Sequence, residues 1–420
     1  MLSVSLGAFC IRPPIGIFIA LRNVFQFIFV GISTALKKQV YILSDNIVSP
    51  LGVTTKENFD AIASGVSGVR QVSLAGLVPE SLFASAFDRS KLNHLFHDYS
   101  IPATFTFFEQ ACILSVLKSI EGIDSKWLAS EKTIFILSTT KGNIDLAGKD
   151  GNNFPEDRLR LQPTATAISG YFKNPNAPLV VSNACISGVV AVITAKRLLA
   201  TGVYNRAVVI GADLLTPFVA SGFRSFNALA NGICQPFDKN REGINLGEAV
   251  CTMILTTEPN PGSNNIEVLG GGISNDANHI SGPSRTGDGL LASIEKCLKS
   301  SKLNNSDIGF ISGHGTATLY NDEMESLAIE SAQLSNIPLN SLKRFYGHTL
   351  GAAGVLESVI SCESMRQGKF IATHNIIEVG VTGKVYIPLN NISGNFNTCL
   401  KTAAGFGGCN AAVAFKKVNA

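Results

Sequence analysis

Apolar and polar positions along this chain change period from two to nearly four and back, which marks strands alternating with helices. Residues 40–43 read as a first strand, and Ser49-Pro50-Leu51-Gly52 as the turn that follows. Thr54 or Thr55 caps a helix through Phe59 and Ile62 to Ser64, where Gly65 stops it. Residues 70–100 show no period and read as irregular. A helical pattern then covers 103–120 through Phe105, Phe108, Ile113, Leu114 and Leu117. Residues 133–137 form a β-branched and aromatic run, a buried strand, and 142–163 read as a polar loop. A β-rich run at 179–182 meets Cys185, and a helix follows at once with Val189, Val192 and Ile193 on its buried face. Ser187 and Gly188 leave room for a tight turn there.

Further strands are predicted at 206–210, which Gly211-Ala212-Asp213 leaves, and at 251–256 and 266–269, with a Pro/Gly/Asn linker at 258–264. Ser284 or Thr286 opens a helix through Ile294 and Leu298. A strand at 308–311 ends at Gly313-His314-Gly315, a helix covers 322–331, and the tail carries strands near 385–387, 398–404 and 411–416. Strand–helix alternation twice over predicts two similar α/β halves joined near 258–264.

One segment stands apart. Residues 15–36 are an almost unbroken apolar run of membrane-spanning length, interrupted by Arg22, Asn23 and Gln26 and followed by Lys37-Lys38. Three readings of the extension 1–37 stay open: a membrane anchor, a signal-like segment, or residues upstream of the natural start.

Composition narrows the class. The 420 residues suffice for one large or two medium domains, and 45% hydrophobic with 15% charged residues describes a core-rich chain with a lean surface. A net charge of +3 without a basic run argues against nucleic acid. Nine cysteines without a CxxC pair argue for a reducing, cytoplasmic setting rather than a disulfide framework or zinc cluster.

Chemistry concentrates in four places. Cys185 sits at a strand-to-helix junction, where unpaired N–H groups and the helix dipole favour a thiolate; it reads as a nucleophile or as a buried structural thiol. His314 lies between glycines after a strand, and His348 at the mouth of a helix rich in small residues. The turn AAGFGGCNA, 403–411, carries Phe406 and an exposed N–H, either a plain β-turn or an oxyanion donor with an aromatic gate. His279 and His374 read as structural, and His94, His97 and Asp98 as a solvated cluster rather than a metal site.

In this order the pieces bring out a resemblance to the β-ketoacyl synthases, condensing enzymes of fatty-acid and polyketide assembly. It runs from about residue 40 to the C-terminus through VSPLG (48–52), NACISG (183–188), QPFDKNREGINLGEA (235–249), HGTAT (314–318) with NDEMES (321–326), KRFYGHTLGAAG (343–354) and GFGGCNA (405–411). The resemblance implies the thiolase fold: an α/β chain of two similar halves in a five-layered α/β/α/β/α sandwich, a homodimer or a heterodimer with a related synthase. The halves would span 38–257, with the nucleophile, and 258–420, with the histidine pair.

The resemblance also implies roles. Cys185 accepts an acyl group as a thioester, and the N–H groups of Cys185 and Phe406 hold its oxyanion, an effect worth about 3–4 kcal/mol per donor in other enzymes. His314 and His348 stabilise the enolate left by decarboxylation of a malonyl thioester, and Lys343 tunes them. Asp322 and Glu325 organise the site, and Thr316 and Thr318 hydrogen-bond the phosphopantetheine arm. Acyl carrier protein is the implied partner and brings that arm with the acyl and malonyl thioesters, so neither a metal nor a cofactor of the chain's own is implied. Membrane contact would come only through 1–37.

A Cys-His-His set is the elongating pattern, whereas initiating members have Cys-His-Asn. Departures are Ala317, Cys409, Ser138-Thr139-Thr140-Lys141 after the strand at 133–137, and short segments at 65–134 and 142–185. They leave acyl length open and suggest a specialised pathway of aryl-polyene or other secondary-lipid type. The rival reading is a non-condensing scaffold subunit resembling a chain-length factor.

Overall fold

The computed structural model describes residues 38–77, 81–147, 154–259, 265–280 and 282–418; the apolar run at 15–36 and most of the 258–264 linker lie outside them. Ten strands form the main sheet: β1 (Tyr41–Val48), β2 (Thr133–Ser138), β3 (Leu179–Val181), β4 (Arg206–Asp213), β5 (Ala249–Thr256), β6 (Asn265–Asn275), β7 (Phe310–Ser312), β8 (Leu339–Asn340), β9 (Thr398–Gly405) and β10 (Cys409–Val418). Their order is β8-β7-β9-β10-β6-β1-β5-β4-β2-β3.

That order contains a repeat. In the first half β2 runs parallel to β3 and β4, β5 is antiparallel to β4, and β1 is antiparallel to β5. In the second half β7 runs parallel to β8 and β9, β10 is antiparallel to β9, and β6 is antiparallel to β10. The halves meet where Tyr41 of β1 pairs with Glu267 of β6. The two similar α/β halves expected from the alternation are therefore present.

The principal helices are α1 (Thr55–Ala63), α2 (Arg89–Asp98), α3 (Phe107–Ser119), α4 (Leu161–Tyr171), α5 (Ser187–Ala200), α6 (Pro217–Ser225), α7 (Asp288–Ser301), α8 (Leu319–Ser331) and α9 (Ala353–Gln367). Strand side chains alternate between two cores, as the period of two requires. In β2, Ile134 and Ile136 join a central core with Val189 and Val192 of α5 and Val355 and Val359 of α9. Phe135 and Leu137 instead face Ile113 and Leu114 of α3 and Ile168 of α4. On β10, Ala411 and Val413 join the central core, while Ala412 and Ala414 pack with Ile294 of α7 and Met324 of α8. Five layers result, with α5 and α9 in the middle. Among the described residues no helix is long and apolar enough to cross a membrane.

Several expectations need correction. The stretch 70–100 is not irregular: Arg70–Ser73 and Ser81–Ser85 pair antiparallel, and α2 follows. That helix buries only Leu92 and Phe96, so its sequence carries little periodicity. Helix α3 starts at Phe107, because Thr106 and Glu109 close a capping box there. The predicted loop 142–163 runs into α4, with Pro163 in the first turn, where an N–H would have no partner anyway. Strand β4 continues through Asp213, α7 opens after Gly287 at φ +78°, and α8 begins at Leu319. Near 385–387 only an isolated bridge, Pro338 to Tyr386, is formed.

Gly188 also serves a different purpose from the one expected. It lies inside α5, where an added Cβ would come within 2.6 Å of Val355 N, and a Cβ on Gly354 within 2.3 Å of Val189 N. The two central helices touch backbone to backbone at this crossing. Gly188→Ala is expected to lower stability by about 3 kcal/mol, because a methyl must wedge main chain apart. Denaturant unfolding reads this directly, and an unchanged midpoint would disprove the close crossing.

Candidate active site

The repeat carries the candidate residues to one place. Cys185 follows β3 and precedes α5; His348 follows β8 and precedes α9. His314 follows β7, and Phe406 follows β9. All four therefore leave the carboxyl ends of strands, where an α/β sheet leaves a crevice. The Cys185 sulfur and one ring nitrogen of each histidine all lie within 4.8 Å of one another. They line a cavity of about 500 Å³ together with Thr316, Thr318 and Phe406.

Local structure fixes the nucleophile. Ala184 adopts the left-handed conformation at φ +43°, turning the chain sharply from β3 into α5. Ser187 holds that turn, its hydroxyl accepting from Asn183 N–H at 2.7 Å and donating to Ala184 O at 2.6 Å. The end of β9 passes close by: a Cβ on Gly405 would sit 3.1 Å from Cys185 N. Phe406 N–H consequently points at the Cys185 thiol. Cys185 is only 7% exposed, and burial pushes its thiol up to about 12 against the pull of Lys343. The expected dipole-favoured thiolate is thus corrected: desolvation outweighs the pull of Lys343, Lys141 and the Phe406 N–H, and the proton stays on sulfur.

His314 sits on a loop held from beneath by α8. Glu325 Oε1 accepts His314 N–H and Oε2 accepts Gly315 N–H, both at 2.7 Å. One turn earlier, Asp322 accepts Thr316 N–H at 2.8 Å, Ala317 N–H at 3.1 Å and Phe237 N–H at 2.7 Å. Both carboxylates thus hold main chain of the loop, and Glu325 Oε1 also accepts the Thr402 hydroxyl at 2.8 Å. Thr316 and Thr318 share a 2.8 Å hydroxyl hydrogen bond on the cavity wall.

Lys343, in the turn Lys343–Tyr346, is fully buried, with Nζ 3.3 Å from His314 Nδ1 and 2.8 Å from Glu357 Oε1. His348 is pinned by the 235–249 segment, donating its N–H to Asn245 O at 2.7 Å and accepting from Gly247 N–H at 3.1 Å. Both its ring nitrogens lack a partner among the described residues. Its ring meets that of His314 edge-on, centroids 5.3 Å apart. Burial, reinforced by Lys343, holds both imidazoles well below the usual histidine value, so both are neutral.

Phe406 stacks on Phe223 at 5.8 Å and meets Phe226 edge-on at 5.7 Å. The three rings also wall a second, apolar cavity beside Lys141. His279, read as structural from the sequence, lines the main cavity. His374 accords with expectation, its Nε2 lying 3.1 Å from Asn391 Oδ1. His94 and His97 are exposed on α2. Sequence reasoning missed Glu357 and Lys401, which together with Lys343 form a buried ion-pair cluster, Glu357 Oε2 lying 2.5 Å from Lys401 Nζ. A lysine within the apolar strand TCLKTAAG was the available signal.

The fold and the site are those of the ketoacyl synthase family on the thiolase fold, and comparison with known proteins agrees. The family models for the β-ketoacyl synthase N-terminal and C-terminal domains match residues 161–260 and 266–377. A 3-oxoacyl-[acyl-carrier-protein] synthase homolog of Saccharomyces cerevisiae is 31% identical, covering 91% of this chain and 99% of its own. The 3-oxoacyl-[acyl-carrier-protein] synthase 2 of Vibrio cholerae is 25% identical over 91% of this chain and 100% of its own. Among solved structures, the ketosynthase ApeO in complex with its chain length factor ApeC, from Xenorhabdus doucetiae, superposes with a TM-score of 0.78 at 25% identity, covering 91% of this chain and 98% of that one. The ishigamide ketosynthase/chain length factor has a TM-score of 0.80 at 23% identity, covering 91% and 100%. This chain belongs to the β-ketoacyl synthase family, acyltransferases of the 3-oxoacyl-[acyl-carrier-protein] synthase class.

Proposed function

We propose that this chain is itself a condensing, elongating synthase, joining an acyl group on Cys185 to malonyl on an acyl carrier protein with loss of CO₂. The observation that carries the reading is the convergence of a thiol and two neutral imidazoles within 4.8 Å. In the first half-reaction Cys185 attacks the acyl-carrier thioester. The thiol proton passes to His348, whose ring nitrogens are free to accept it, and then to the departing phosphopantetheine sulfur. Phe406 N–H and Cys185 N–H hold the oxyanion.

In the second half-reaction Lys343 donates to His314 Nδ1, so the ring's hydrogen sits on Nε2 and is offered to the malonyl thioester oxygen. The bond to the carboxylate breaks, CO₂ leaves, and its electron pair forms an enolate held by the two imidazole N–H groups. The enolate carbon attacks the acyl carbonyl on Cys185, and the tetrahedral oxyanion collapses. The 3-ketoacyl carrier is released, and the Cys185 sulfur takes up a proton. This chemistry calls on no metal and no resident cofactor, because the carrier delivers the phosphopantetheine.

We place the enzyme in a reducing compartment such as the cytoplasm, consistent with eight free, buried cysteines among the described residues. It would work as a homodimer or beside a related synthase. Similarity to ketosynthases solved with a chain length factor supports a second reading, a scaffold partner. Mass spectrometry of the purified protein with a panel of acyl carriers, followed by malonyl carrier, separates the two. A transient acyl adduct on Cys185 that passes into a 3-ketoacyl product is expected. No adduct from any donor, alone or beside a co-purified synthase chain, would favour the scaffold.

A further inference from the structure

Lys401 stands in the middle of β9, where every residue from Thr398 to Ala404 is buried, and its own side chain is fully enclosed. An ammonium there must satisfy all three hydrogens inside the protein. It donates to Gly313 O (2.8 Å) and Ser312 O (3.2 Å), and its charge is paired with a third oxygen, Glu357 Oε2 (2.5 Å). Two of these acceptors immediately precede His314. The third is the carboxylate whose other oxygen holds Lys343 at 2.8 Å, and Lys343 in turn holds His314 Nδ1 at 3.3 Å.

We propose that Lys401 is a positioning residue for His314, gripping it through the main chain and through the Glu357–Lys343 relay, and thereby favouring malonyl decarboxylation over mere acyl transfer. The inference rests on the condensing function proposed above. Both routes end on the same imidazole. Fixing its backbone sets where the ring stands, and fixing Nδ1 sets its rotation and tautomer. An enolate-stabilising N–H needs both, since misplacement by about 1 Å costs up to about a hundredfold. Cys185 acylation relies on His348 and the amide N–H groups, which Lys401 reaches only through its charge and not by a hydrogen bond.

Lys401 also adds charge. The groups facing it are Glu357 of α9, Lys343, Glu325 of α8, the neighbouring thiol Cys399, and the two imidazoles; Lys141 acts on His348 and Cys185 as well. Lys401 disfavours a proton on either histidine, so removing its charge raises both, and the acid limb of the rate moves to higher pH.

The test compares Lys401→Met and Lys401→Gln with the wild-type protein, reading CO₂ release from malonyl carrier, Cys185 acylation by mass, and the pH profile of each. CO₂ release is expected to fall at least about tenfold more than acylation, with the acid limb raised by about one pH unit in both variants. Gln keeps two donors for the Ser312 and Gly313 carbonyls, so it reports on the charge even if Met fails to fold. Equal losses in both half-reactions with an unmoved acid limb would overturn the inference and leave the proposed function standing. A wild-type protein that acylates Cys185 but releases no CO₂ would overturn both.

Discussion

Cys185→Ala is expected to split the reaction: acyl transfer and condensation are lost, by at least about a thousandfold, while malonyl carrier is still decarboxylated. The reason lies in which atoms each step uses. The acyl group needs the sulfur: Cys185 lines the cavity, whereas the neighbouring thiol Cys409 does not and turns to Phe406 O at 3.2 Å. Enolate formation uses only the His314 and His348 imidazoles. These are positioned by Lys343, Glu325 and the 245–247 segment, none of which depends on the thiol. The variant should therefore release CO₂ and leave acetyl carrier, the enolate being protonated for want of an acyl partner. Intact-mass analysis of the carrier reads both outcomes. A variant that still makes a 3-ketoacyl product would place the nucleophile elsewhere, and one that releases no CO₂ would tie decarboxylation to the sulfur.

Glu357→Gln is expected to carry a large stability loss. It removes the one carboxylate that lies between the ammonium groups of Lys343 and Lys401, both fully buried. Burial alone would raise that carboxyl, yet the two ammonium groups together hold it below its ordinary value, so it is ionised at neutral pH. Breaking such a cluster from one side costs about 3–5 kcal/mol, because two positive charges are left facing each other out of water. The deficit also carries a pH signature. Burial already lowers the Lys401 ammonium below its ordinary 10.5, and removing the carboxylate lowers it further. A lysine depressed in the folded state binds fewer protons there than when unfolded, so the variant should regain stability as pH rises toward 10.5. Denaturant midpoints across that range decide it. A deficit independent of pH would mean that the loss is one of packing rather than charge.

Much of this was legible from residues alone. Elements with strong local signals announced themselves: β2 by its β-branched and aromatic run, buried on both faces, and α1 by a capping threonine and Gly65. The motifs around Cys185, His314, His348 and Phe406 could be read because each is local, a loop of small residues after a strand. Elements whose partners are distant in sequence stayed hidden. The strands at 70–73 and 81–85 exist through pairing with each other and with residues 246–247, and α2 buries too little to show a period.

Tertiary structure alone decided the chemistry of the site. A strand-to-helix cysteine suggests a thiolate in sequence, but only its enclosure in the fold makes desolvation the largest influence on the thiol. The central helix α9 looks polar, with Glu357, Ser358, Ser361 and Ser364, and is nevertheless buried, because it lies between both halves of the sheet. That burial sets a glutamate opposite two lysines 14 residues before it and 44 after it in the chain, a contact no local pattern encodes. Sequence by itself determined the repeated strand–helix order and the identities of the candidate side chains, since local backbone preference and hydrophobic period are properties of neighbours. Which of those side chains are dry, neutral and aimed at one another was decided by packing, since desolvation and Coulomb forces act through space.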